Sequence, residues 1–429
     1  MNIKFSNILT IIVLGMAGGA IYCLPYLKYV FYDQMLLNMG ITDSQCGLLM
    51  TVYAIACLIV YFPGGVLADK IPAKLSIVGS LFAASALTYI FAFNPTNYAV
   101  CLAIWFGFAF GAIFLCWPAI MKTVRVLGGD NVSTAYSIYY AANGTTGGLV
   151  NWAALQVYAQ NADPQQGFFW AIIVMGMCTT VIPCMVWFLL RNFKDPAPQA
   201  SASDKKFNLK DIKEVLTNSK IWLLSALLFS TYTIYTAVTY YTPYLTGMFK
   251  ISPELSGNLT IVRLFGFMLL APVSGMLADR VFHSSLKWFL VALTIILVPT
   301  IALFVLGDTM SVTFVCTITL IPAFFASGLY SIMFSTLNEC KIPVHVAGTA
   351  IGVVSIFTFL PDMIIHTFFG TLLDAYGVGA WDLIWKFMAV TCVVTFLVAT
   401  VLIRKNKADD AREAARLAAA PADTAFAGD

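Results

Sequence analysis

The stretch GGVLADKIPAK, at residues 64–74, decides how the rest of the sequence is read. It follows two long apolar runs and contains a cluster of charged residues, and a similar stretch, GMLADR, occurs 210 residues later at residues 275–280. Small residues at the end of an apolar helix let a neighbouring helix approach closely, and an Asp there can accept hydrogen bonds from a helix N-terminus. The two copies indicate a chain built from two related halves.

Composition places the chain in a bilayer. Of its 429 residues, 60% are hydrophobic and only 10% are charged, and the mean hydropathy is +0.84, so there are too few polar groups to cover a soluble globule. The ten Cys lie mostly in apolar runs, with no CxxC pair and no metal-ligand spacing, and we interpret them as packing residues. We therefore expect no metal and no cofactor. The sequence also has no nucleotide-binding loop, nucleophile constellation or soluble domain, so we expect neither an enzyme nor a nucleic-acid-binding protein.

Twelve apolar runs are long enough to cross a membrane, since a spanning helix needs about 20 apolar residues. They predict an all-α membrane protein with twelve transmembrane helices. The predicted spans are 8–32, 44–67, 75–93, 98–121, 135–159, 167–190, 221–248, 255–277, 287–306, 311–336, 347–371 and 382–403. The predicted divisions are an N-terminal half at 1–190, a cytoplasmic linker at 191–220, a C-terminal half at 221–404 and a cytoplasmic tail at 405–429.

The basic residues predict the orientation. Twenty of the 24 Lys and Arg fall in the segments that are cytoplasmic if the N-terminus is inside, so both termini are expected in the cytoplasm. The linker begins with a flexible PAPQASAS stretch, and residues 207–216 interleave apolar and charged side chains as a surface-lying helix does. The Ala-rich tail from Ala408 is expected to be a frayed helix or disordered.

The repeated motif resembles the signature of the major facilitator superfamily, in which a Gly, an Asp and a basic residue join the second and third helices of each half. Pro72 and Ala73 depart from it, because the family usually has Gly and Arg there. The resemblance implies two pseudo-symmetric six-helix bundles that rock around a central cavity. The matching residues are Gly65, Asp69 and Lys70 in the first copy and Gly275, Asp279 and Arg280 in the second.

Further stretches are similar to a bacterial branch of the superfamily that carries sugar acids and sulfonates. They are LPYLKYVFY at 24–32, YFPGG at 61–65, WPAIMK at 117–122, and Pro361-Asp362 with Gly370 and Asp374. This resemblance implies a multi-pass protein of the bacterial inner membrane, a small anionic solute as ligand, and a monomer whose other partners are lipids and protons. The branch has Glu and Arg on its fifth span where this chain has Asn143 and Thr146.

Lys28 and Arg263 lie inside predicted spans, where a charge requires a partner, water or a function. Arg263 is about nine residues into the eighth span and suits a carboxylate, phosphate or sulfonate as a bidentate donor. The alternative for Arg263 is a structural pair with Asp362. Lys28 follows Pro25 in the first span and either contacts the solute or snorkels to the outer interface.

Asp362 and His366 are four residues apart on the eleventh span and share a face. Because an imidazole can load and release a proton near neutral pH, we assign this pair to proton coupling, with structural pairing as the alternative. Lys122, one turn after Pro118, either anchors the fourth span at the cytoplasm or faces the cavity.

Uncharged polar side chains predict a wet path through the centre of the molecule. Tyrosine combines an apolar ring with a hydroxyl, which suits a site for a hydroxylated or anionic solute. The candidate solute contacts of this type are Tyr22, Tyr26 and Tyr29 on the first span, Asn143 on the fifth, and Tyr232 and Tyr235 in a seventh span that also carries Tyr240, Tyr241 and Tyr244.

These residues together predict a secondary transporter of a small organic anion, such as a carboxylate, sugar acid or sulfonate, working by alternating access with proton coupling. One alternative is an anion exchanger that needs no proton. Another is a multidrug or cation exporter of the same fold, against which the positive charge of Arg263 inside a predicted span argues.

Overall fold

The structure is a computed structural model that describes residues 4–68, 70–191, 193, 215–269, 271–340, 342 and 347–418. Within these ranges the chain forms twelve helical segments and no strand. In chain order they are α1 (Phe5–Ile21, continued as Tyr32–Met39), α2 (Asp43–Ala68), α3 (Ala73–Phe93), α4 (Tyr98–Ala109, continued as Cys116–Gly128), α5 (Val132–Ala159), α6 (Pro164–Leu189), α7 (Ser219–Ala237, continued as Tyr241–Phe249), α8 (Pro253–Ile261, continued as Ala271–Met276), α9 (Ser285–Leu306), α10 (Val312–Ile318, continued as Leu320–Ile332 and Thr336–Glu339), α11 (Ala347–Phe359, continued as Pro361–Tyr376) and α12 (Ala380–Ala418). The all-α prediction is confirmed.

Eight stretches of the described chain are long and apolar enough to cross a membrane, and one of them, residues 352–412, runs through most of α11 and α12. The first piece of α1 is apolar but has only 17 residues. In α5, Asn143 and Asn151 interrupt the apolar surface with polar groups. Helices that cross the membrane can therefore be interrupted or carry polar side chains, and these positions are candidates for function.

The helices pack as two groups, α1–α6 and α7–α12. In the first group α1 lies against α5 and α3 lies against α6, and in the second α9 lies against α12 and α7 against α11. Glycines make the α1–α5 contact close, because a methyl group added at Gly15 or Gly19 would overlap the backbone of α5. The first bundle is therefore held by backbone proximity as well as by side-chain packing.

The two bundles meet closely along α2 and α11. We call the end where α1 begins and α12 ends the linker side, and the opposite end the far side. A Cβ added at Gly47 of α2 would overlap the carbonyl of His366, and one added at Gly370 of α11 would overlap the carbonyl of Asp43. Glycine on both partners thus lets the two backbones touch in the far half of the seam.

Hydrogen bonds close the seam at the far side. The Asp374 carboxylate accepts from the backbone N–H groups of Asp43, at 2.9 Å, and Ser44, at 3.0 Å, so a residue of α11 caps the N-terminus of α2. Asp33 of the first bundle accepts from the Thr246 hydroxyl of the second at 2.9 Å. The bundles are therefore joined by polar contacts at this end.

At the linker side a carboxylate from outside the repeated motif caps α9. Glu339, at the end of α10, accepts from the Ser284 hydroxyl at 2.8 Å and from the backbone N–H groups of Ser285 and Leu286. Asp69, expected to accept from a helix N-terminus, lies outside the described residues. Of the other motif residues, Gly65 lies in α2, Lys70 is exposed, Gly275 lies in the last turn of α8, and Asp279 and Arg280 are exposed in the π-helical turn Leu277–Val281.

The first span differs from the sequence-based expectation, and two other predicted segments are only partly described. The first span is not a continuous helix over 8–32, because the α-helix ends at Ile21 and resumes at Tyr32. The surface helix expected at 207–216 falls almost entirely outside the described residues. The tail, expected to be a frayed helix or disordered, is helical in its described part, since α12 continues to Ala418, and the pair between Lys220 and Asp409 at 2.5 Å ties this extension to the start of α7.

Candidate transport site

The interruption of α1 places Lys28 in the seam between the bundles. Pro25 has no N–H to donate, and the residue before a proline is disfavoured in helical geometry, so the chain turns after Ile21 and re-forms only a 3₁₀ turn at Leu27–Tyr29. Lys28 lies on this turn and is only 2% exposed. It does not snorkel to a surface, so that alternative is wrong.

Lys28 hydrogen-bonds two groups of the opposite bundle. Its Nζ donates to the Tyr240 hydroxyl at 2.9 Å and to Nδ1 of His366 at 3.0 Å. The ammonium also lies 4.5 Å from the centre of the Tyr240 ring, and the Tyr240 hydroxyl donates in turn to the backbone carbonyl of His366 at 3.0 Å. A cation of the first bundle is thus held by α7 and α11 of the second.

Asp362 completes this cluster. Its carboxylate accepts from the Tyr232 hydroxyl at 2.7 Å and the Thr236 hydroxyl at 3.1 Å, and Oδ1 lies 3.6 Å from Nε2 of His366. Because Lys28 donates to Nδ1 of a neutral imidazole, the ring hydrogen of His366 is on Nε2, which faces this carboxylate. An imidazole therefore separates a buried ammonium from a buried carboxylate.

Tyrosines from both bundles surround the cluster, and several are partly exposed. The Tyr235 and Tyr330 rings are stacked, with centroids 4.2 Å apart and planes 7° apart. On the other side of the seam, Tyr26 lies edge-on to Tyr53 at 5.6 Å, and the Tyr29 hydroxyl is 3.5 Å from Nε2 of His366. The predicted tyrosines of the first and seventh spans thus lie in one region, where the Tyr29 hydroxyl contacts His366 and the Tyr232 hydroxyl contacts Asp362.

The structure does not bring all the predicted residues together. Asn143 lies at the α1–α5 contact, where its amide is 3.5 Å from the Tyr139 hydroxyl and packs beside Gly18. Lys122 is half-buried near the end of α4. Neither position decides whether these residues contact a solute, and both assignments stay predictions.

Arg263 lies elsewhere, inside the second bundle on the π-helical turn Val262–Gly266 of α8. It is 0% exposed, its Nη2 donates to the Thr319 hydroxyl at 2.7 Å, and its guanidinium carbon is 5.4 Å from the Tyr241 ring centre. The alternative of a structural pair with Asp362 is wrong, because that carboxylate is bound by Tyr232 and Thr236 instead.

Sequence reasoning named most of the cluster but not its connections. Asp362 and His366 could be paired from their spacing, whereas the contact between Lys28 and His366 joins residues 338 positions apart and has no local signal. Thr236 was missed, and Tyr240 was noticed only as part of a tyrosine-rich run. One usable signal was Pro243, since a proline removes the hydrogen bond to the carbonyl four residues earlier and loosens the turn that carries Tyr240.

Helices long enough to span a bilayer, arranged in two bundles that share a buried charged cluster in their seam, define a membrane transporter. Residues 5–366 match the sequence profile of the Major Facilitator Superfamily, and the chain belongs to that family. It is accordingly a multi-pass membrane transporter and not an enzyme.

Relatives agree with this assignment. The chain is 26% identical over 412 residues to "Inner membrane protein YqcE" of Escherichia coli strain K12, a match that covers 91% of this chain and 94% of the relative. Its fold is similar to that of a bacterial homolog of the human lysosomal transporter Spinster in an inward-facing, unoccupied conformation, with a TM-score of 0.72, 15% identity and coverage of 94% and 98%. It is also similar to the nucleoside transporter NupG, with a TM-score of 0.69, 13% identity and coverage of 94% and 99%. At these identities the structural similarity concerns the fold alone.

Proposed function

We propose that the protein is a secondary transporter that carries a small organic anion, a carboxylate, sugar acid or sulfonate, by alternating access coupled to protons. The observation that carries the proposal is the position of Lys28, a buried cation of one bundle held by His366 and Tyr240 of the other. An anion that reaches the seam would replace these neutral partners as the ligand of the ammonium. Tyrosine hydroxyls in the same region would bind hydroxyl or acidic oxygens of the solute.

Proton coupling follows from the chemistry of the imidazole. A proton can be added to His366 only at Nδ1, the atom that now accepts from Lys28, so protonation turns two hydrogen-bonded groups into two adjacent cations. Asp362, next to Nε2, compensates one of the two charges, and an anionic solute would compensate the other. Solute binding and protonation would therefore favour each other, which is the requirement for symport.

Substitution of Lys28 tests the solute site. In proteoliposomes, Lys28→Gln is expected to lower uptake of a radiolabelled hexuronate or alkyl sulfonate by at least about 30-fold, since losing one partner of a buried charged contact costs about 2 kcal/mol or more. Lys386→Gln is the matched control, because Lys386 is an exposed lysine paired within its own helix with Asp382. Uptake by Lys28→Gln equal to that of the wild type would remove Lys28 from the site.

Substitution of His366 separates symport from exchange. His366→Gln keeps an acceptor for Lys28 but cannot take up a proton, so it is expected to lose stimulation by an inward proton gradient while retaining counterflow of preloaded anion. A wild-type uptake rate that is the same with and without the proton gradient would favour the proton-independent exchanger. Inhibition by lipophilic cations but not by carboxylates or sulfonates would favour the cation exporter.

We also propose that the linker side and both termini lie on the cytoplasmic side of the inner membrane, and that the transporter is monomeric. The distribution of Lys and Arg supports this orientation. A C-terminal reporter active only in the cytoplasm, together with the mass of the detergent-solubilised protein, tests both proposals.

A further inference from the structure

Arg263 is a fully buried cation whose hydrogen-bonding capacity is mostly unused. Only Nη2 has a described acceptor, the Thr319 hydroxyl at 2.7 Å, whereas Nε and Nη1 have none. Its neighbours on α8 show which way it faces: Gly257 contacts Val30 and Leu155 of the first bundle, whereas Arg263 contacts α7 and α10 of its own bundle. The guanidinium therefore points into the second bundle and not into the seam.

Nothing described around Arg263 balances its charge. Among the described residues no carboxylate forms an ion pair with it, and the printed distances place it next to the Thr319 hydroxyl and the Tyr241 ring, which are both uncharged. A buried guanidinium cannot give up its proton readily, and a buried charge without a counter-charge is strongly destabilising. An anion held at this position would satisfy both the charge and the free N–H groups.

A second unpaired donor lies in the same neighbourhood. Tyr241 is stacked on Trp385, with ring centres 5.1 Å apart, and the indole Nε1 of Trp385 is a buried donor without a described acceptor. Tyr241 thus has the Arg263 guanidinium near its ring and the Trp385 indole stacked against it. Two residues with buried donors that have no described acceptor thus both contact Tyr241, and such donors suit an anion.

We propose that Arg263 binds a monovalent inorganic anion of the size of chloride inside the second bundle, at a site separate from the Lys28 cluster. Enclosure of Arg263 favours a small ion over an organic solute, since the side chain is 0% exposed. The π-helical turn that carries Arg263 is a helix distortion frequently found at functional sites.

The two cation sites are adjacent along α7. Tyr240 contacts Lys28 and the next residue, Tyr241, contacts Arg263, at the end of the 3₁₀ turn Val238–Tyr240. Occupancy of the Arg263 site would therefore stiffen the turn that also holds the Lys28 cluster. The inorganic anion site does not depend on which solute, if any, Lys28 binds.

Thermal unfolding of the purified transporter tests the site. At constant ionic strength and pH, replacing sodium sulfate, whose anion is divalent and larger, by sodium chloride is expected to raise Tm by roughly 2–5 °C at saturation, because a ligand bound only to the folded state stabilises it. Bromide should act similarly. Binding of ³⁶Cl⁻ should saturate at about one ion per chain, as the single guanidinium requires.

Variants assign the effect to one of the two cations. Arg263→Gln is expected to abolish the chloride response and Thr319→Val to weaken it, whereas Lys28→Gln and Lys386→Gln should keep it. If Arg263→Gln does not fold, Arg263→Lys, which keeps the charge but loses the planar guanidinium, should weaken chloride binding at least about tenfold. No chloride response in the wild type, or a response lost in Lys28→Gln and kept in Arg263→Gln, would overturn the proposal. Either result leaves the transport assays of Lys28 unaffected.

Discussion

Asp374 is expected to hold the two bundles together at the far side, and we call its contact with the start of α2 the latch. Asp374→Ala removes this contact and tests whether it keeps the far side closed. The carboxylate accepts two backbone N–H groups at the start of α2, from Asp43 and Ser44, and it belongs to the other bundle. Loss of a capping residue costs about 0.5–2 kcal/mol, and the helix dipole adds a few tenths for a charged cap. Since Asp374 is exposed and solvent screens it, we take about 1 kcal/mol, which is about a five-fold shift toward the state with an open far side.

The native cysteines report this shift. Cys46 of α2 is buried beside the latch, whereas Cys392 of α12 is buried inside the second bundle. Reaction of Cys46 with a membrane-impermeant maleimide, followed by mass spectrometry of its peptide, is expected to be about five-fold faster in Asp374→Ala. Cys392 should react at an unchanged rate. Asp382→Ala is the matched control, because Asp382 is an exposed far-side carboxylate that pairs within its own helix.

Two results would refute the latch. An unchanged Cys46 rate would show that the cap does not hold the seam closed. Equal acceleration at Cys46 and Cys392 would show that the variant merely loosens the fold.

Two other predictions concern backbone contacts. Gly370→Ala is expected to separate α2 from α11 and to lower stability by about 1–3 kcal/mol, because the added methyl overlaps the Asp43 carbonyl. Gly79→Ala, inside α3 and facing open space, should leave Tm unchanged or slightly raised in the same thermal melt. Equal Tm values for the two variants would contradict the close approach. Glu339→Ala removes the cap of α9 and is expected to lower the free energy of unfolding by about 1 kcal/mol. The loss should appear as a lower Tm and as faster amide exchange in the first turn after Ser284, with exchange at the start of α12 as the internal reference. Unchanged exchange at α9 would show that Glu339 does not stabilise that helix.

Sequence alone was sufficient for the helical class and for most members of the central cluster. Apolar runs have a length set by the bilayer, and a charge inside such a run is conspicuous, so Lys28, Asp362 and His366 could be selected before any geometry was known. The repeated Gly, Asp and basic residue at 65–70 and 275–280 indicated two related halves because duplication preserves spacing.

Sequence was insufficient for contacts that depend on rotation about a helix axis. Arg263 and Lys28 looked equivalent as buried cations, yet one faces its own bundle and the other faces the seam. The direction of each side chain is set by local distortions, the π-helical turn at Val262–Gly266 and the break before Leu27, which the periodicity of apolar residues does not reveal. The cap of α9 by Glu339 likewise depends on a helix end far away in sequence.

Because α12 is long, a rotation of the second bundle would displace the end of this helix more than the residues inside the bundle. Its 39 residues correspond to about 58 Å, whereas a hydrocarbon core is only about 30 Å thick. Roughly 28 Å of rigid helix would stand clear of the lipid, fastened to the body by Lys220 and Asp409. A probe attached near Ala418 would sweep about 5 Å for every 10° of rotation, so a rocking step too small to see inside the protein becomes measurable by distance spectroscopy at its tip.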